Sequence, residues 1–390
     1  MWLLEFSFYL VTGIIVWMMF GYFILLRVMG ILKGFTPPAI PENLPHITVI
    51  VPCYNEEGGI AEKLANIREL AYPPEKLEVL FVDGGSKDRT VALLEEAISP
   101  SEPFTVLRSP RGGKINQLNF ALSQAKGEII FNTDADAMME KDCLRWCIAE
   151  FARGPDVLVV GAYCSPHPQA LEMEKYHWIS QNKGRFLESD ACCSSIVVAP
   201  CYAFRRSLVT SFPDDVIADD IYVAYMGHAS GGRTIFSHHA RVQEIRVPTD
   251  QGMFIAHKFR KSNAFLRESL RFLHRLPDMG MFCKTMFITR IGQQLFLPAL
   301  LIWWFLIAGA LLSLSSFVPL ILGVTCILLT FVITSFVFST VPLPEEAAKS
   351  SITTMVKGYI ISLSILLAMA VSYPFYRQTS SYARIGDAVK

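Results

Sequence analysis

Charge is what this chain is short of. Only 18% of its 390 residues are Asp, Glu, Lys or Arg, while 52% are hydrophobic, a balance shifted away from that of an ordinary soluble domain. A membrane component is therefore the first expectation. An excess of either sign is also lacking: 35 acidic and 35 basic side chains cancel, so nothing in the net charge asks for a nucleic-acid partner or a large acidic substrate. Cysteine is sparse as well. Nine scattered residues without a CxxC pair exclude a disulfide framework and the usual spacing of a zinc site. The adjacent Cys192 and Cys193 read as core or loop thiols in a reducing compartment.

What the chain does have is long uncharged stretches. From Phe6 to Leu26 no residue is charged, which suffices for a hydrocarbon core that takes roughly 20 helical residues. The run is too long for a cleaved signal peptide, and no small-x-small site follows it before Arg27. Residues 1–32 are thus expected to form a transmembrane helix. Glu5 precedes the run while Arg27 and Lys33 follow, which places the next domain in the cytosol. A second uncharged region runs from Ile291 to Pro344, enough for two spans with a turn around Ser313–Pro319, and Gly358–Tyr376 is a shorter final candidate. About three spans are expected over 286–376, followed by a tail at 377–390 whose side of the membrane stays open, because one of these segments could be interfacial or re-entrant.

Between the spans, residues 46–250 alternate. Apolar runs at Ile47–Val51, Val79–Val82 and Ile129–Phe131 read as buried strands, and helical patterns cover Ile60–Leu70 and Thr90–Ala97. Such alternation predicts an α/β domain with a mostly parallel sheet, whose ligands sit beyond the carboxyl ends of the strands. Those ends read VPCYNEE (51–57), VDGGSKDRT (82–90) and FNTDADAMM (131–139). In Asp134-Ala135-Asp136, an extended chain puts both carboxylates on one side. Two close carboxylates suit Mg2+ or Mn2+ shared with substrate phosphates. An isolated Asp-x-Asp is more often a solvated turn; the two other acidic strand ends strengthen the metal reading.

Taken in order, these segments resemble those of the family-2 glycosyltransferases, the group that includes cellulose, chitin and hyaluronan synthases, over residues 46–265. The resemblance implies a glycosyltransferase-A type nucleotide-sugar domain, with transmembrane helices at both ends of this chain. It implies that Pro52, Tyr54, Asn55, Glu56 and Glu57 line a nucleoside pocket. Asp83, in Asp83-Gly84-Gly85-Ser86, keeps the first acid of the family's Asp-Asp-Gly-Ser and is expected near uracil; the second acid is lost. Lys114, after Arg111-Gly112-Gly113 and before Asn116 and Asn119, is expected beside the donor diphosphate, as a point charge next to glycines that admit close approach, although a surface turn before a helix explains the same residues. Asp134 and Asp136 become the metal site and donor contacts. Residues 199–206 match the acceptor-side strand. Ala218-Asp219-Asp220 resembles Thr-Glu-Asp, which makes Asp219 and Asp220 catalytic, with Asp220 the base that takes the acceptor's proton; a helix N-terminal acidic pair accounts for the same two residues.

One departure stands out. Processive members carry Gln-x-x-Arg-Trp, and the aligned residues here are His257, Arg260 and Lys261. His257 and Arg260 remain candidate donor contacts, but no indole is left beneath the acceptor. Residues 251–285 read as amphipathic interfacial helices, with an apolar stripe at Ile255, Phe259, Leu266, Leu270 and Leu273 among Lys258, Lys261, Arg267, Arg271 and Arg275. His238 and His239 lack spaced partners and read as sheet or loop residues. The expected activity is transfer of a hexose or N-acetylhexosamine, with inversion, from a UDP-sugar to a lipid-linked or glycan acceptor at a bacterial inner membrane, with membrane lipids as further partners. A processive exopolysaccharide synthase and a catalytically silent sugar-nucleotide-binding subunit are the alternatives.

Overall fold

The apolar runs at 47–51, 79–82 and 129–131 form the middle of an eight-stranded sheet in the computed structural model, which describes residues 1–343, 352–376 and 378. Its strands are β1 (Ile47–Cys53), β2 (Leu77–Asp83), β3 (Phe104–Arg108), β4 (Ile129–Asn132), β5 (Ala137–Met139), β6 (Val157–Ser165), β7 (Tyr202–Arg205) and β8 (Arg233–Glu244). They lie in the order β3-β2-β1-β4-β7-β6-β8-β5. Strand β1 is parallel to β2 and β4, β2 to β3, and β6 to β8, whereas β7 runs against both β4 and β6 and β5 runs against β8. Because the central strands are covered on both faces, their apolar residues run on without alternation: Val49, Ile50 and Val51 in β1 and Val79, Leu80, Phe81 and Val82 in β2 are all buried.

The first helical segment is continuous from Trp2 to Lys33 and consists of α1 (Trp2–Val16), a π-helical turn (Trp17–Gly21) and α2 (Tyr22–Lys33). The sheet is flanked by α3 (Ile60–Arg68), α4 (Thr90–Ala97), α5 (Lys114–Gln124), α6 (Cys143–Phe151), α7 (Glu172–Ala191) and α8 (Asp219–Ala229), and it is followed by α9 (Gln251–Arg271), α10 (Met281–Leu295), α11 (Leu297–Ser313), α12 (Phe317–Ser339) and α13 (Ile352–Ser372). By length and composition, Trp2–Lys33 and α12 can cross a membrane, and α10 with α11 makes a third candidate bent by 63°. Of the three C-terminal spans expected, α12 and the bent α10–α11 pair are the candidates of sufficient length among the described residues. Pro298, in the first turn of α11, has no N–H to donate and crowds the preceding turn, so the uncharged run from Ile291 is broken near Phe296. Its first residues end α10, which packs under the catalytic domain. The apolar part of α13, Lys357–Ser372, is shorter than a full span. The expected tail at 377–390 lies outside the described residues, save for residue 378.

Helices α1 and α11 pack through Phe8, Val11, Ile15, Trp304, Ile307 and Leu311, with the Trp304 indole N–H donating to Thr12 Oγ1 at 2.9 Å. One buried acid joins this bundle to the sheet domain. Glu188 of α7 accepts from Tyr22 of α2 and from Arg290 of α10, each at 2.7 Å, and from the Ser195 backbone N–H and hydroxyl at 2.8 and 2.7 Å. Burial pushes its carboxyl up, but the Arg290 charge and these hydrogen bonds prevail and hold it below its ordinary range.

Helix α9 also departs from expectation. Ile255 and Leu273 are exposed while Phe254, His257, Lys258, Leu266, Glu268 and Ser269 are buried, so the face read as basic and membrane-lying is in part the packed one. Lys258 pairs with the fully buried Glu174 at 2.8 Å. Arg271 bridges Glu268 and Asp215, and Arg275 meets Asp278.

Candidate active site

The loops after β1 and β2 are laced together. Asn55, at φ 54°, donates its backbone N–H to Ser86 Oγ and accepts at its side-chain oxygen from the Lys87 N–H, both at 2.8 Å. Thr90 Oγ1 accepts from the Glu56 N–H at 2.6 Å, and Asp88 from the Glu57 N–H at 3.1 Å. Asp83 is buried and spends its carboxylate on the Gly85 and Ser86 N–H groups at 2.9 and 3.1 Å. Gly85 there has φ 91°, which a residue with a Cβ adopts only under strain. Gln117 of α5 donates to the carbonyls of Cys53 and Val82 at 2.7 and 2.6 Å, and a Cβ on Gly84 would meet its amide at 2.9 Å. Pro52, the residue before the last of β1, lies opposite Val82. Tyr54 is 44% exposed above this floor, and the Glu56 carboxylate is paired with Arg246.

The third loop is not extended as expected. Residues 134–137 form a turn closed by the Ala137 N–H on the Asp134 carbonyl at 3.2 Å, because Lys63 of α3, fully buried, donates from below to Thr133 Oγ1 at 2.9 Å and to the Ala137 carbonyl. Burial brings the Lys63 ammonium down to about 8. Cross-strand pairing puts Glu244 opposite Ala137, and Arg246 Nε lies 3.7 Å from Asp136.

Lys114, opening α5 after Gly113 at φ 99°, reaches Asp134 at 2.8 Å and Asp219 at 3.2 Å. Asp219 is buried and further held by the Tyr202 hydroxyl at 2.6 Å and the Asn132 amide at 2.9 Å. Its carboxylate is thus engaged by three side chains. Asp220, next in the same helix turn, accepts from the Ile221 N–H at 2.9 Å and is half-buried. Its carboxyl rises to about 7, chiefly by burial and then by the Asp219 charge, with Lys114 and Lys261 working against the rise. Glu244 rises to about 7 by burial, opposed by Lys261 and reinforced by Asp136. Asp134 rises by burial and by the charges of Asp136 and Asp219, against Lys114. Asp134, Asp136, Asp219, Asp220 and Glu244 thus bear on one another electrostatically, an all-oxygen donor set that suits a hard divalent cation.

Of the predicted residues, Asp134, Asp136, Asp219, Asp220 and Lys114 come together. Asn116 and Asn119 serve the scaffold, on the Gly112 carbonyl and on the Phe212 backbone. His257 is buried with neither ring nitrogen hydrogen-bonded, and burial and the charges of Lys261, Lys258 and Arg260 keep it neutral. Arg260, half-buried, sits beside it. His238 faces Asp190 at 2.9 Å and stacks on Phe186, while His239 stacks on Trp146. Sequence reading missed Tyr202, Asn132, Glu244, Arg246 and Lys261 as site residues. Asn132 and Tyr202 lie inside the quoted motifs, but their roles arise only from the antiparallel pairing of β4 with β7.

The comparisons agree with this geometry. The glycosyl transferase family 2 model matches residues 48–211. An N-acetylglucosaminyltransferase of Rhizobium leguminosarum bv. viciae is 25% identical over 271 residues, 64% of this chain and 62% of that protein, so the chain spans about three fifths of its length. A beta-monoglucosyldiacylglycerol synthase of Synechocystis sp. is 33% identical over 148 residues, 35% of this chain and 31% of the relative. Among solved structures, the mannosyltransferase PcManGT from Pyrobaculum calidifontis, in complex with GDP-Man and Mn2+, has a TM-score of 0.68 at 25% identity, covering 95% of this chain and 99% of that one. The strand-end motifs, the sheet order and these likenesses agree that residues 48–211 form a glycosyl transferase family 2 domain.

Proposed function

We propose that the protein is a membrane-anchored, inverting, non-processive glycosyltransferase that moves one hexose or N-acetylhexosamine from a nucleoside diphosphate donor to a hydroxyl of a lipid or lipid-linked acceptor. The observation that carries this reading is Asp220, a half-buried carboxylate next to Asp219 of the Lys114–Asp134–Asp219 cluster, whose carboxyl burial raises to about 7. Asp220 takes the acceptor's proton as its oxygen attacks the anomeric carbon from the face opposite the diphosphate. Lys114 offsets charge on the leaving phosphates. Asp134 and Asp136, with Glu244 near, would hold Mg2+ or Mn2+, which neutralises charge building on the diphosphate. The laced loops at 54–57 and 84–90, with Tyr54 and Asp83, would cradle the nucleoside, and Arg260 and His257 would stand on the diphosphate side.

Two observations favour a single transfer over polymerisation. Lys261 occupies the position of the family's tryptophan, and the nearby Trp178 is buried, with the Lys261 and Lys258 ammonium groups 5.1 and 5.8 Å from its ring. No indole is thus exposed there as an acceptor platform. Helix α13 packs along α9, with Tyr376 against Phe259 and Tyr373 against Arg267, which brings apolar surface next to the helix that carries Lys261 and supports an acceptor delivered from the bilayer. The N-acetylglucosaminyltransferase likeness favours a UDP donor; the near full-length likeness to a protein holding GDP-Man favours GDP-mannose as the second reading. Arg27 and Lys33, in the second half of α2, support a cytosolic domain at a bacterial inner membrane. The test is nucleoside diphosphate release by the purified protein in nanodiscs, over UDP- and GDP-sugars with Mn2+ or Mg2+, with products weighed by mass spectrometry. Release with one donor and a single sugar added supports the proposal; ladders of product sink the non-processive part, and binding without release under every acceptor sinks the transferase.

A further inference from the structure

Apart from the sugar site, three soft ligand side chains meet where the catalytic domain rests on α10. Cys193 follows α7, His228 lies near the end of α8, and Cys283 opens α10. All three are buried, and their sulfur and nitrogen atoms lie within 4.8 Å of one another. The Cys193 and Cys283 sulfurs are 3.3 Å apart, and Cys283 Sγ is 3.5 Å from His228 Nδ1. His228 Nε2 is 3.0 Å from the Ser194 carbonyl oxygen. A carbonyl can only accept, so Nε2 carries the hydrogen and Nδ1 turns its lone pair toward the sulfurs. An imidazole whose far N–H is fixed by a carbonyl is the arrangement that metal-binding histidines adopt.

We propose that Cys193, His228 and Cys283, completed by the neighbouring half-buried Cys192, form a structural site for one Zn2+. A tetrahedral zinc with Zn–S of about 2.3 Å and Zn–N of about 2.0 Å spaces two sulfurs about 3.8 Å apart and a sulfur and a nitrogen about 3.5 Å apart. The separations here reach those values with a shift of about half an ångström in one sulfur. Cys192, next in sequence and half-buried, lies outside that group of three and would turn in as the fourth donor. Lys33 and Arg233, whose charges bear on Cys192, offset the surplus of three thiolates over a divalent ion. A disulfide between Cys193 and Cys283 is the competing chemistry, with two electrons and two protons passing to a small disulfide or peroxide. It would leave the oriented imidazole without a role, and both sulfurs are shielded from such an oxidant. The site ties the end of α7, the end of α8 and the start of α10 together, and so fixes the catalytic domain to the bundle beneath it. Sequence spacing hides it, because its ligands come from positions 192–193, 228 and 283.

The test is elemental analysis of the full chain purified in detergent without chelator, beside Cys193→Ser/Cys283→Ser, Asp136→Asn and Cys326→Ser. About one zinc per chain is expected in the parent, Asp136→Asn and Cys326→Ser, falling at least about tenfold in the double variant. Growth with Co2+ should give the parent the visible bands of tetrahedral thiolate-bound cobalt, a readout that needs no variant to fold. Zinc that leaves with Asp136→Asn belongs to the sugar site and overturns the proposal. So does a parent chain that lacks cobalt bands, whether its thiols titrate as free or its mass is two hydrogens low from a Cys193–Cys283 disulfide.

Discussion

Asp219 and Asp220 share a backbone turn and differ in what surrounds them. Asp219 is held by Lys114, Tyr202 and Asn132, whereas half-buried Asp220 accepts from the Ile221 N–H. Asp220→Asn should lower kcat by about 10²- to 10⁴-fold with little change in donor KM, read by nucleoside diphosphate release. The base works as the anion. With its carboxyl at about 7, kcat/KM should rise with pH, about tenfold per unit, and level off above about 7. Lys261 favours that anion, so Lys261→Met should move the rising limb to higher pH while leaving its slope unchanged. A limb that stays in place in Lys261→Met would falsify the assignment of the titration to Asp220.

Elements differ in how plainly the sequence announces them. Strands β1, β2 and β4 are legible because strands covered on both faces must be apolar throughout, and their motif-bearing loops follow from that. The reversal of β7 against β4 was not legible: nothing in YAFR distinguishes a parallel from an antiparallel neighbour, yet that reversal delivers Tyr202 to Asp219. Helix α9 misleads for a related reason. Its lysines read as a solvated face because their buried partner, Glu174, is 84 residues away. The turn at 134–137 is set by Lys63 from α3, which local pattern cannot show. Across α2, α7 and α10 the same kind of distant pairing meets at Glu188. Glu188→Gln leaves Arg290 buried without its counter-charge and should cost about 3–5 kcal/mol, measured as a fall in the midpoint of thermal unfolding in detergent, with donor affinity at low temperature retained.

For the whole molecule, the spans fix sidedness. If Trp2–Lys33 and the α10–α11 unit both cross, the turn at 314–316 lies on the side of the membrane opposite the catalytic domain. In sealed right-side-out vesicles, a protease site inserted after Ser315 should be cut from outside, and one inserted at 100–101 should be cut only after the membrane is opened. Cutting at both sites or at neither in intact vesicles would show that the bent pair is re-entrant.

The π-helical turn at Trp17–Gly21 gives this anchor a phase. Such a turn takes up one residue more than an α-turn, so the helix beyond it is rotated by about 100° relative to an unbroken ladder. Below the turn, Phe8, Val11 and Ile15 address α11; above it, Tyr22 addresses Glu188. The 32-residue rod therefore works as a keyed shaft whose two ends are cut at different angles. Removing a single residue from the turn would shorten the rod by little and still bring Tyr22 around to the wrong side, so the spacing between bilayer and sugar site can tolerate change more readily than the angle between them.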